Sequence, residues 1–266
     1  MKTEIAKGIV IRSSRNIMTV RVNDEDGRHV SDYECRIKGK ILKTDINAYN
    51  PAAPGDRVVI ERPEKTPAAK AAATVNAAPI VQAAAASKAH HVNRAMIISV
   101  EQRRNFFSRF NQKGELSQLM GANIDLVLCV CTPSSPPFRP RFIDRVLLQA
   151  EIAGIEAAVI CNKSDLESGD LDINERLEEY SRIGYKVLRV SAKTGEGIET
   201  LRELIGENKR ELPDGKTCLI TGQSGVGKSS IINALLPELG IKEGRINEKY
   251  DRGVHTTTLP EMYDLG

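Results

Sequence analysis

Short runs in which hydrophobic and polar residues alternate fill most of the first hundred positions. Turn residues such as Asp26-Gly27 and Pro54-Gly55-Asp56 separate these runs, a pattern typical of strands with one buried face. The predicted strands are Ile5 to Arg12, Ile17 to Val22, Tyr33 to Lys38, Arg57 to Glu61 and Met96 to Val100. Five short strands of this kind predict a small β-barrel of the OB type, a fold that often presents one face to oligonucleotides.

An alanine-rich stretch, residues 63 to 91, interrupts the barrel pattern before its last strand. Alanine occupies 12 of these 29 positions, together with three prolines and no aromatic residue. Such a stretch offers too little apolar bulk to offset the entropy lost on ordering it. We expect a flexible insertion, with at most a transient helix over residues 80 to 88.

From Leu116 onward, apolar runs alternate with amphipathic segments of helical period. Apolar runs of this kind are typical of parallel strands buried on both faces. The predicted strands are 126–131, 157–161, 186–190 and 217–221, and the predicted helices are 141–153, 173–182, 198–205 and 228–236. The sequence thus predicts a barrel domain over residues 1–110 and a doubly wound α/β domain over 111–266, in which ligands bind at the carboxyl ends of the strands.

The composition is that of an ordinary globular protein, with 41% hydrophobic and 27% charged residues in a chain of 266. No run approaches the roughly 18 apolar residues of a membrane span, and no signal-peptide segment follows Met1, so we expect a soluble, cytoplasmic protein. The five cysteines include no C-x-x-C pair. Because four of them lie in apolar strand-like runs, neither a disulfide scaffold nor a thiolate metal site is expected.

Charge is divided unevenly between the two predicted domains. Residues 1–110 hold 19 Lys and Arg against 11 Asp and Glu, a net +8, whereas residues 111–266 hold 19 against 24, a net −5. A basic barrel is compatible with a nucleic-acid surface, and equally with solvated faces that bind nothing. In the basic stretch 103–110, arginines could hold phosphates while a phenylalanine stacks on a base; alternatively, the phenylalanines pack the barrel against the second domain. The residues assigned to RNA binding are Arg94, Arg103, Arg104 and Arg109.

The strongest chemical signal is G-Q-S-G-V-G-K-S at residues 222–229, which matches the phosphate-loop pattern G-x-x-x-x-G-K-[ST] between a predicted strand and a predicted helix. Its glycines allow backbone N–H groups to surround phosphates, Lys228 brings charge to the β and γ phosphates, and the Ser229 hydroxyl can ligate Mg²⁺. The residues assigned to this loop are Gly222, Gln223, Ser224, Gly225, Val226, Gly227, Lys228, Ser229 and Ser230.

Two further loops at strand ends indicate which base is bound. In the N-K-S-D sequence at 162–165, the carboxylate can accept hydrogen bonds from guanine N1–H and the exocyclic amine, whereas adenine would leave it unpaired. In the S-A-K sequence at 191–193, a backbone N–H can meet guanine O6. Each motif alone is weak evidence for base recognition. Because both follow predicted strands of the sheet that also carries the phosphate loop, together they favour guanine recognition. The residues assigned to the base are Asn162, Lys163, Ser164, Asp165, Ser191, Ala192 and Lys193.

Both base-reading loops precede the phosphate loop, whereas ordinary P-loop GTPases place the phosphate loop first, so we interpret the domain as circularly permuted. Further along, Gly253-Val254-His255 leads into three threonines, where a switch segment would supply a ligand to Mg²⁺ and the γ-phosphate. Which of Thr256, Thr257 and Thr258 is the ligand stays open. Lys228 and Thr257 are the candidate catalytic residues.

The barrel, the order N-K-S-D, S-A-K, G-Q-S-G-V-G-K-S and the G-V-H-T-T-T segment together resemble the ribosome-small-subunit-dependent GTPases, a family of circularly permuted bacterial assembly factors. The resemblance covers nearly the whole chain apart from the alanine-rich insertion. It implies an OB domain that contacts ribosomal RNA, a GTPase domain, and GTP-gated action late in maturation of the small subunit. Val254 stands where the family usually has Arg or Lys.

Two parts of the family pattern have no counterpart in this sequence. The family continues past the switch threonines into an Asp-x-Pro-Gly motif and a zinc-binding domain, whereas this sequence ends at Gly266. We therefore expect a truncated member, in which Asp264 has no role toward Mg²⁺ and the zinc ligands are absent. His90 and His91 are interpreted as exposed loop residues.

These observations predict a monomeric GTP-binding and GTP-hydrolysing factor, with Mg²⁺ as cofactor, that acts on the small ribosomal subunit and its rRNA and not on membranes. The alternative is a GTP-gated RNA-binding module in which hydrolysis is incidental. Stimulation of hydrolysis by small subunits distinguishes the two.

Overall fold

The computed structural model describes residues 3–14, 17–23, 30–37, 50–63, 93–110, 117–166, 171–206, 216–241, 246–247, 252–253 and 260–264. These residues form two compact units, one of residues up to Asn123 together with 260–264, and one that begins at Ile124. The units divide after Asn123, whereas the sequence predicted a boundary after residue 110. The alanine-rich insertion lies outside the described residues, apart from Pro63.

Five strands close a barrel in the first unit. They are β1 (Thr3–Ser13), β2 (Met18–Asn23), β3 (Val30–Ile37), β4 (Arg57–Pro63) and β5 (Arg94–Val100). Their order around the barrel is β1-β2-β3-β5-β4, with β3 and β5 parallel and the other pairs antiparallel. Alternate side chains point inward, and Met18, Ile60 and Ile97 in the resulting core are fully buried. The predicted OB-type barrel is confirmed.

A hairpin that the sequence did not predict follows the barrel, with β6 (Phe106–Phe110) and β7 (Ser117–Ala122) antiparallel. The buried amide of Asn50 attaches it to the barrel. Asn50 Nδ2 donates to the Leu119 carbonyl at 3.0 Å, and its Oδ1 accepts from the Leu119 N–H at 2.9 Å. The Asn50 side chain bonds both backbone groups of Leu119, as a neighbouring strand would, and so holds the hairpin in the barrel unit.

The second unit is built on a parallel sheet with the order β10-β9-β8-β11. Its strands are β8 (Leu126–Cys131), β9 (Glu156–Asn162), β10 (Lys186–Val190) and β11 (Cys218–Gly222), and its helices are α1 (Pro140–Ile152), α2 (Leu171–Arg182), α3 (Ile198–Gly206) and α4 (Lys228–Leu235). Helices α3 and α4 contribute Leu201 and Ile231 to a core cluster with Leu128 and Ile160. Helices α1 and α2 pack against β8, β9 and β10 outside that cluster. The predicted doubly wound α/β fold is confirmed.

The carboxyl ends of the four parallel strands lie along one edge of this sheet. The strand register pairs Val190 with Asn162, so the loops after β9 and β10 begin at the same level, and Gly222 with Val130, so the loop after β11 begins two residues below them. This edge therefore brings together the three motifs that are far apart in the sequence.

The last described segments are short. A 3₁₀ turn (Pro237–Leu239) follows α4, and β12 (Ile246–Asn247) pairs with β13 (Arg252–Gly253). In the barrel unit, the Met262 N–H donates to the Ile11 carbonyl at 2.8 Å. Within the described parts of the chain, no helix combines the length and the apolar character needed to cross a membrane.

Candidate nucleotide-binding site

The loop between β11 and α4 has the shape of an anion cradle. Gly225 and Gly227 have φ of +83° and +91°, a conformation that residues with a Cβ rarely adopt. Among the described residues, no side chain caps the N-terminus of α4, where the helix dipole favours negative charge. Lys228 Nζ donates to the carbonyls of Gly222 at 2.9 Å and Gln223 at 2.7 Å, which holds the ammonium group over the loop.

Two glycines of this loop are required by close approach. A Cβ on Gly222 would lie 2.5 Å from the Val130 carbonyl oxygen of the neighbouring strand. A Cβ on Gly227 would lie 2.3 Å from Asn162 Nδ2. Any larger residue at either position would push the phosphate loop away from β8 or from the loop after β9.

The side chain of Asn162 joins all three loops. It is 2% exposed. Its Nδ2 donates to the Val226 carbonyl in the phosphate loop at 2.9 Å, and its Oδ1 accepts from the Ala192 N–H at 3.1 Å. The sequence assigned Asn162 to the nucleotide; in the structure each end of its amide is bonded to a protein atom of a neighbouring loop.

Asp165 lies at the surface beside the loop that follows β10. Its Oδ1 accepts from the Ser191 hydroxyl at 2.7 Å, and its Oδ2 is 3.9 Å from Lys193 Nζ. The hydrogen bond from Ser191, followed by the charges of Lys193 and Lys163, holds the pKa of Asp165 below its usual value. The carboxylate is therefore ionised at neutral pH, which is the form that accepts two hydrogen bonds.

The rest of the N-K-S-D loop is fixed from two sides. Lys163 has φ of +65°, and its Nζ donates to the Ser135 carbonyl in the loop after β8. The Ser164 N–H donates to the Val190 carbonyl at 3.0 Å, and its hydroxyl donates to Glu196 at 3.2 Å. Asp165 is thus presented by a loop held on both neighbouring strands.

The S-A-K sequence continues into a tight turn that sequence reasoning did not single out. Buried Ser191 accepts at its carbonyl from the Gly195 N–H at 2.8 Å and donates its own N–H to the Glu196 carbonyl at 2.9 Å. Gly197 has φ of +69°, and a Cβ there would lie 2.4 Å from the Arg189 carbonyl oxygen. The signal for this turn is the Gly195-Glu196-Gly197 sequence directly after the motif.

Arg103, one of the arginines predicted to bind RNA, is used inside the barrel unit. Its Nε and Nη2 donate to the two carboxylate oxygens of Asp56 at 2.7 and 2.8 Å, and the Asp56 side chain is 1% exposed. Nη2 also donates to the Pro51 carbonyl at 3.1 Å. This guanidinium therefore fixes the turn before β4, and the assignment of Arg103 to RNA binding stays a prediction. Phe107 is 3% exposed and is not displayed for base stacking. The other three arginines are exposed: Arg94, Arg104 and Arg109.

The described residues contain only part of the predicted magnesium site. Ser229 lies in the first turn of α4. Thr256, Thr257 and Thr258 lie outside the described ranges, as do His90 and His91. In the part of the chain that is described, no group of three or more His, Cys, Asp or Glu side chains is arranged to hold a metal ion.

The barrel, the parallel sheet and the loop order define a circularly permuted P-loop GTPase with an N-terminal β-barrel. A family model described as RsgA GTPase matches residues 100–266. The chain belongs to the RsgA GTPase family, which confirms both the resemblance inferred from its motifs and the predicted class of enzyme.

Curated relatives match almost the whole chain. The protein named "Small ribosomal subunit biogenesis GTPase RsgA" of Flavobacterium johnsoniae is 35% identical over 261 residues, which cover 97% of this chain and 69% of the relative. The protein of the same name from Bacteroides fragilis is 32% identical over 263 residues, which cover 97% of this chain and 72% of the relative.

Two solved structures share the fold. YjeQ from Thermotoga maritima aligns with a TM-score of 0.56 and 28% identity over 90% of this chain and 68% of that one. YloQ, described as a circularly permuted GTPase, aligns with a TM-score of 0.51 and 23% identity over 99% of this chain and 74% of that one. The second likeness supports the fold alone.

Proposed function

We propose that this chain binds guanine nucleotides at the loops after β9, β10 and β11, hydrolyses GTP, and acts in biogenesis of the small ribosomal subunit. The observation that carries the proposal is the Asn162 amide, which ties the base-reading loops to the phosphate loop and makes one site of three motifs. The ribosomal part is supported by the relatives, which are named as small ribosomal subunit biogenesis GTPases.

In this proposal the phosphates lie in the cradle at the start of α4. Backbone N–H groups of the loop and the helix dipole stabilise their charge. Lys228 exchanges its present acceptors, the carbonyls of Gly222 and Gln223, for phosphate oxygens. Charged oxygens are stronger acceptors than carbonyls, so the exchange is favourable.

Guanine is read by Asp165 and the S-A-K loop. The ionised carboxylate accepts from N1–H and the exocyclic amine, and the Ser191 hydroxyl orients it. Adenine presents an acceptor at N1 and leaves the carboxylate without a donor. A site built to hydrogen-bond one edge rejects an edge that lacks the donors by about 10⁴-fold or more.

Mg²⁺ fits the oxygen donors expected here. The Ser229 hydroxyl would hold it, with one of Thr256, Thr257 or Thr258 as the proposed second ligand, Thr257 serving in hydrolysis. When bound, the ion neutralises charge that develops on the phosphates during phosphoryl transfer.

The barrel unit is proposed to contact rRNA through its exposed arginines. Arg109 lies on β6, where its Nε donates to Gln118 at 3.0 Å, and Arg94 begins β5. Contacts of this kind release counterions from phosphates, so binding to small subunits should weaken steeply with salt. Replacing Arg94 and Arg109 together with Ala should lower the affinity and the salt slope and leave nucleotide binding unchanged; an unaltered slope would place the rRNA contact elsewhere.

Competition binding tests the guanine assignment. A fluorescent GDP analogue should be displaced by GDP at about 10⁴-fold lower concentration than by ATP. Asp165→Asn should shift the preference toward xanthine nucleotides, because an acceptor becomes a donor. Glu178→Gln removes the same charge from an exposed site on α2 and is the matched control. Equal displacement by GDP and ATP would overturn the proposal.

Hydrolysis measured with and without small ribosomal subunits tests the rest. Small subunits are expected to stimulate GTP hydrolysis by the wild-type protein, and Lys228→Ala should abolish this stimulation. Nucleotide-dependent subunit binding without stimulation would instead favour a GTP-gated RNA-binding module.

A further inference from the structure

Two cysteines and an arginine form a row across three adjacent strands, just below the nucleotide edge of the sheet. The register pairs Cys131 of β8 with Cys161 of β9, and Cys161 with Arg189 of β10. Directly paired residues on neighbouring strands project from the same face, with Cα atoms about 4.8 Å apart. This separation falls within the range of about 4.4–6.8 Å found for disulfide-bonded cysteines.

The two thiols lie side by side on paired residues. Their interaction with each other lowers the pKa of Cys161 and raises that of Cys131, and the positive charge of Arg189 lowers the pKa of Cys161 further. Cys161 is thus the better nucleophile of the two, since thiolates and not thiols react. Cys131 keeps its proton beside it.

The remaining three cysteines have no cysteine opposite them in the described strands. Cys129 is paired with Val159, Cys218 with Leu126, and Cys35 with Met18 and Ala95. Burial raises the pKa of Cys129, Cys35 and Cys218 to about 12. Only the Cys131–Cys161 pair combines a paired thiol with an activating cation.

We propose that Cys131 and Cys161 form a redox-sensitive dithiol, oxidised by small hydroperoxides to a disulfide that weakens nucleotide binding at the adjoining loops. Cys131 and Cys161 are 6% and 1% exposed, so the oxidant must be as small as hydrogen peroxide. The pair lies at the ends of β8 and β9, beside the loops that follow these strands.

The chemistry proceeds in two steps. The Cys161 thiolate attacks one peroxide oxygen and breaks the O–O bond, which gives a sulfenic acid and releases hydroxide. The Cys131 sulfur then attacks the sulfenic sulfur, forming the S–S bond and breaking the S–O bond, and the hydroxyl leaves as water with the Cys131 proton. The two sulfurs lose two electrons in total, and the peroxide gains them.

The effect on binding follows from the next residue in the chain and rests on the proposed nucleotide site. Closing the disulfide draws the two sulfurs together to about 2.05 Å. Asn162 follows Cys161 directly, so this movement shifts the amide that connects Val226 and Ala192. The three loops lose their alignment and the oxidised protein binds guanine nucleotide less tightly.

Thiol counting after peroxide treatment tests the dithiol independently of the nucleotide. The full chain has five cysteines, so the count in denaturant should fall by two, with peptide mapping linking Cys131 to Cys161 and dithiothreitol reversing the change. Cys129→Ala, on the same strand and face, should still lose two thiols. Cys131→Ala should lack the disulfide and let dimedone trap a sulfenic acid on Cys161, whereas Cys161→Ala should show neither product.

Nucleotide binding tests the consequence. The Kd for a fluorescent GDP analogue should rise at least about tenfold on oxidation, recover with dithiothreitol, and stay constant in peroxide-treated Cys161→Ala. An unchanged thiol count, a disulfide between other cysteines, or a disulfide with unchanged Kd would overturn the inference. If the reduced protein failed to bind guanine nucleotide, the proposed function would fall instead, and the thiol count would still decide whether the dithiol exists.

Discussion

Removing the Asn162 amide should uncouple the three loops of the site. In Asn162→Ala, the Val226 carbonyl loses a donor at 2.9 Å and the Ala192 N–H loses an acceptor at 3.1 Å. Each buried group left without a partner costs about 1–3 kcal/mol. We expect the free energy of unfolding of the α/β unit to fall by about 2–4 kcal/mol, with the first hydrogen bond the larger contributor because it is fully buried.

The same change should weaken nucleotide binding. Loops that are no longer held together must be ordered by the ligand, and each 1.4 kcal/mol of ordering cost is about a tenfold loss of affinity. We expect the Kd for GDP to rise at least about tenfold in Asn162→Ala. Asn174→Ala removes an amide that accepts from Arg189 Nη2 on the exposed side of the unit and serves as the matched control.

Asn162→Asp keeps an acceptor at this position and makes the donor depend on pH. An ionised carboxylate at position 162 can still accept from the Ala192 N–H, but its other oxygen is an acceptor that faces the Val226 carbonyl, also an acceptor. A protonated carboxyl can donate a hydrogen bond to the Val226 carbonyl. Burial raises the folded-state pKa of the introduced carboxyl above its unfolded value of about 3.9. The contribution of that group is therefore largest at low pH and is lost as pH rises through the raised pKa.

Amide hydrogen exchange in β8, β9 and β10, with urea denaturation at pH 5 and pH 8, measures these effects. N162D should be more stable than N162A at pH 5, and this advantage should vanish or reverse at pH 8. A difference between the two variants that does not change with pH, or an N162A protein as stable as wild type, would refute the proposed role of the amide.

The remaining predictions concern single interactions. Arg103→Ala should lower the free energy of unfolding by about 3–5 kcal/mol in urea denaturation, because it leaves the buried Asp56 carboxylate without its cation. The control Arg94→Ala, at an exposed position, should change the free energy of unfolding by less than about 0.5 kcal/mol. Equally small effects of both changes would contradict the buried ion pair. Gly197→Ala should lower the melting temperature more than Gly154→Ala, because both have positive φ but only the first meets a backbone oxygen, and equal shifts would contradict this. A hydrogen bond from the Ser191 hydroxyl holds the pKa of Asp165 below 3.8. Titration of Asp165 should therefore leave GDP affinity unchanged from pH 8 to pH 5 and lower it only as pH falls through the lowered pKa. A binding midpoint near pH 6 in wild type that Asp165→Asn abolishes would contradict this.

The parallel sheet could be predicted almost to the residue because its strands are short, largely apolar runs, of which β8 is buried at every position. The run Leu126–Cys131 is apolar at every position, and β8 has these same bounds. The β6–β7 hairpin gave no such pattern. It is short and carries Arg109, and it is attached to the barrel by the Asn50 amide, 69 residues before Leu119. A contact so distant in the chain leaves no local periodicity.

The sequence motifs predicted which loops form the candidate site. The phosphate loop and the two base-reading motifs do meet at one sheet edge. The role of Asn162 could not be predicted, because it depends on where Val226 and Ala192 lie in space. The ion pair of Arg103 could not be predicted for a similar reason: an arginine in a basic stretch resembles a surface residue, and its buried partner Asp56 is 47 positions earlier.

The order of the loops also dictates the order in which a nascent chain can assemble its site. Strands β8, β9 and β10 leave the ribosome in succession and are neighbours in the sheet, whereas β11 joins beside β8 only later. At about 5–20 residues per second, the 60 residues from Asn162 to Gly222 take on the order of 3–12 s to synthesise. In the second half of that interval, after Ala192 has been made, its N–H is available to the Asn162 amide, but Val226 has not yet been made. A nucleotide therefore cannot serve as a template while the sheet is growing, and it can engage only a chain whose fourth strand has been synthesised.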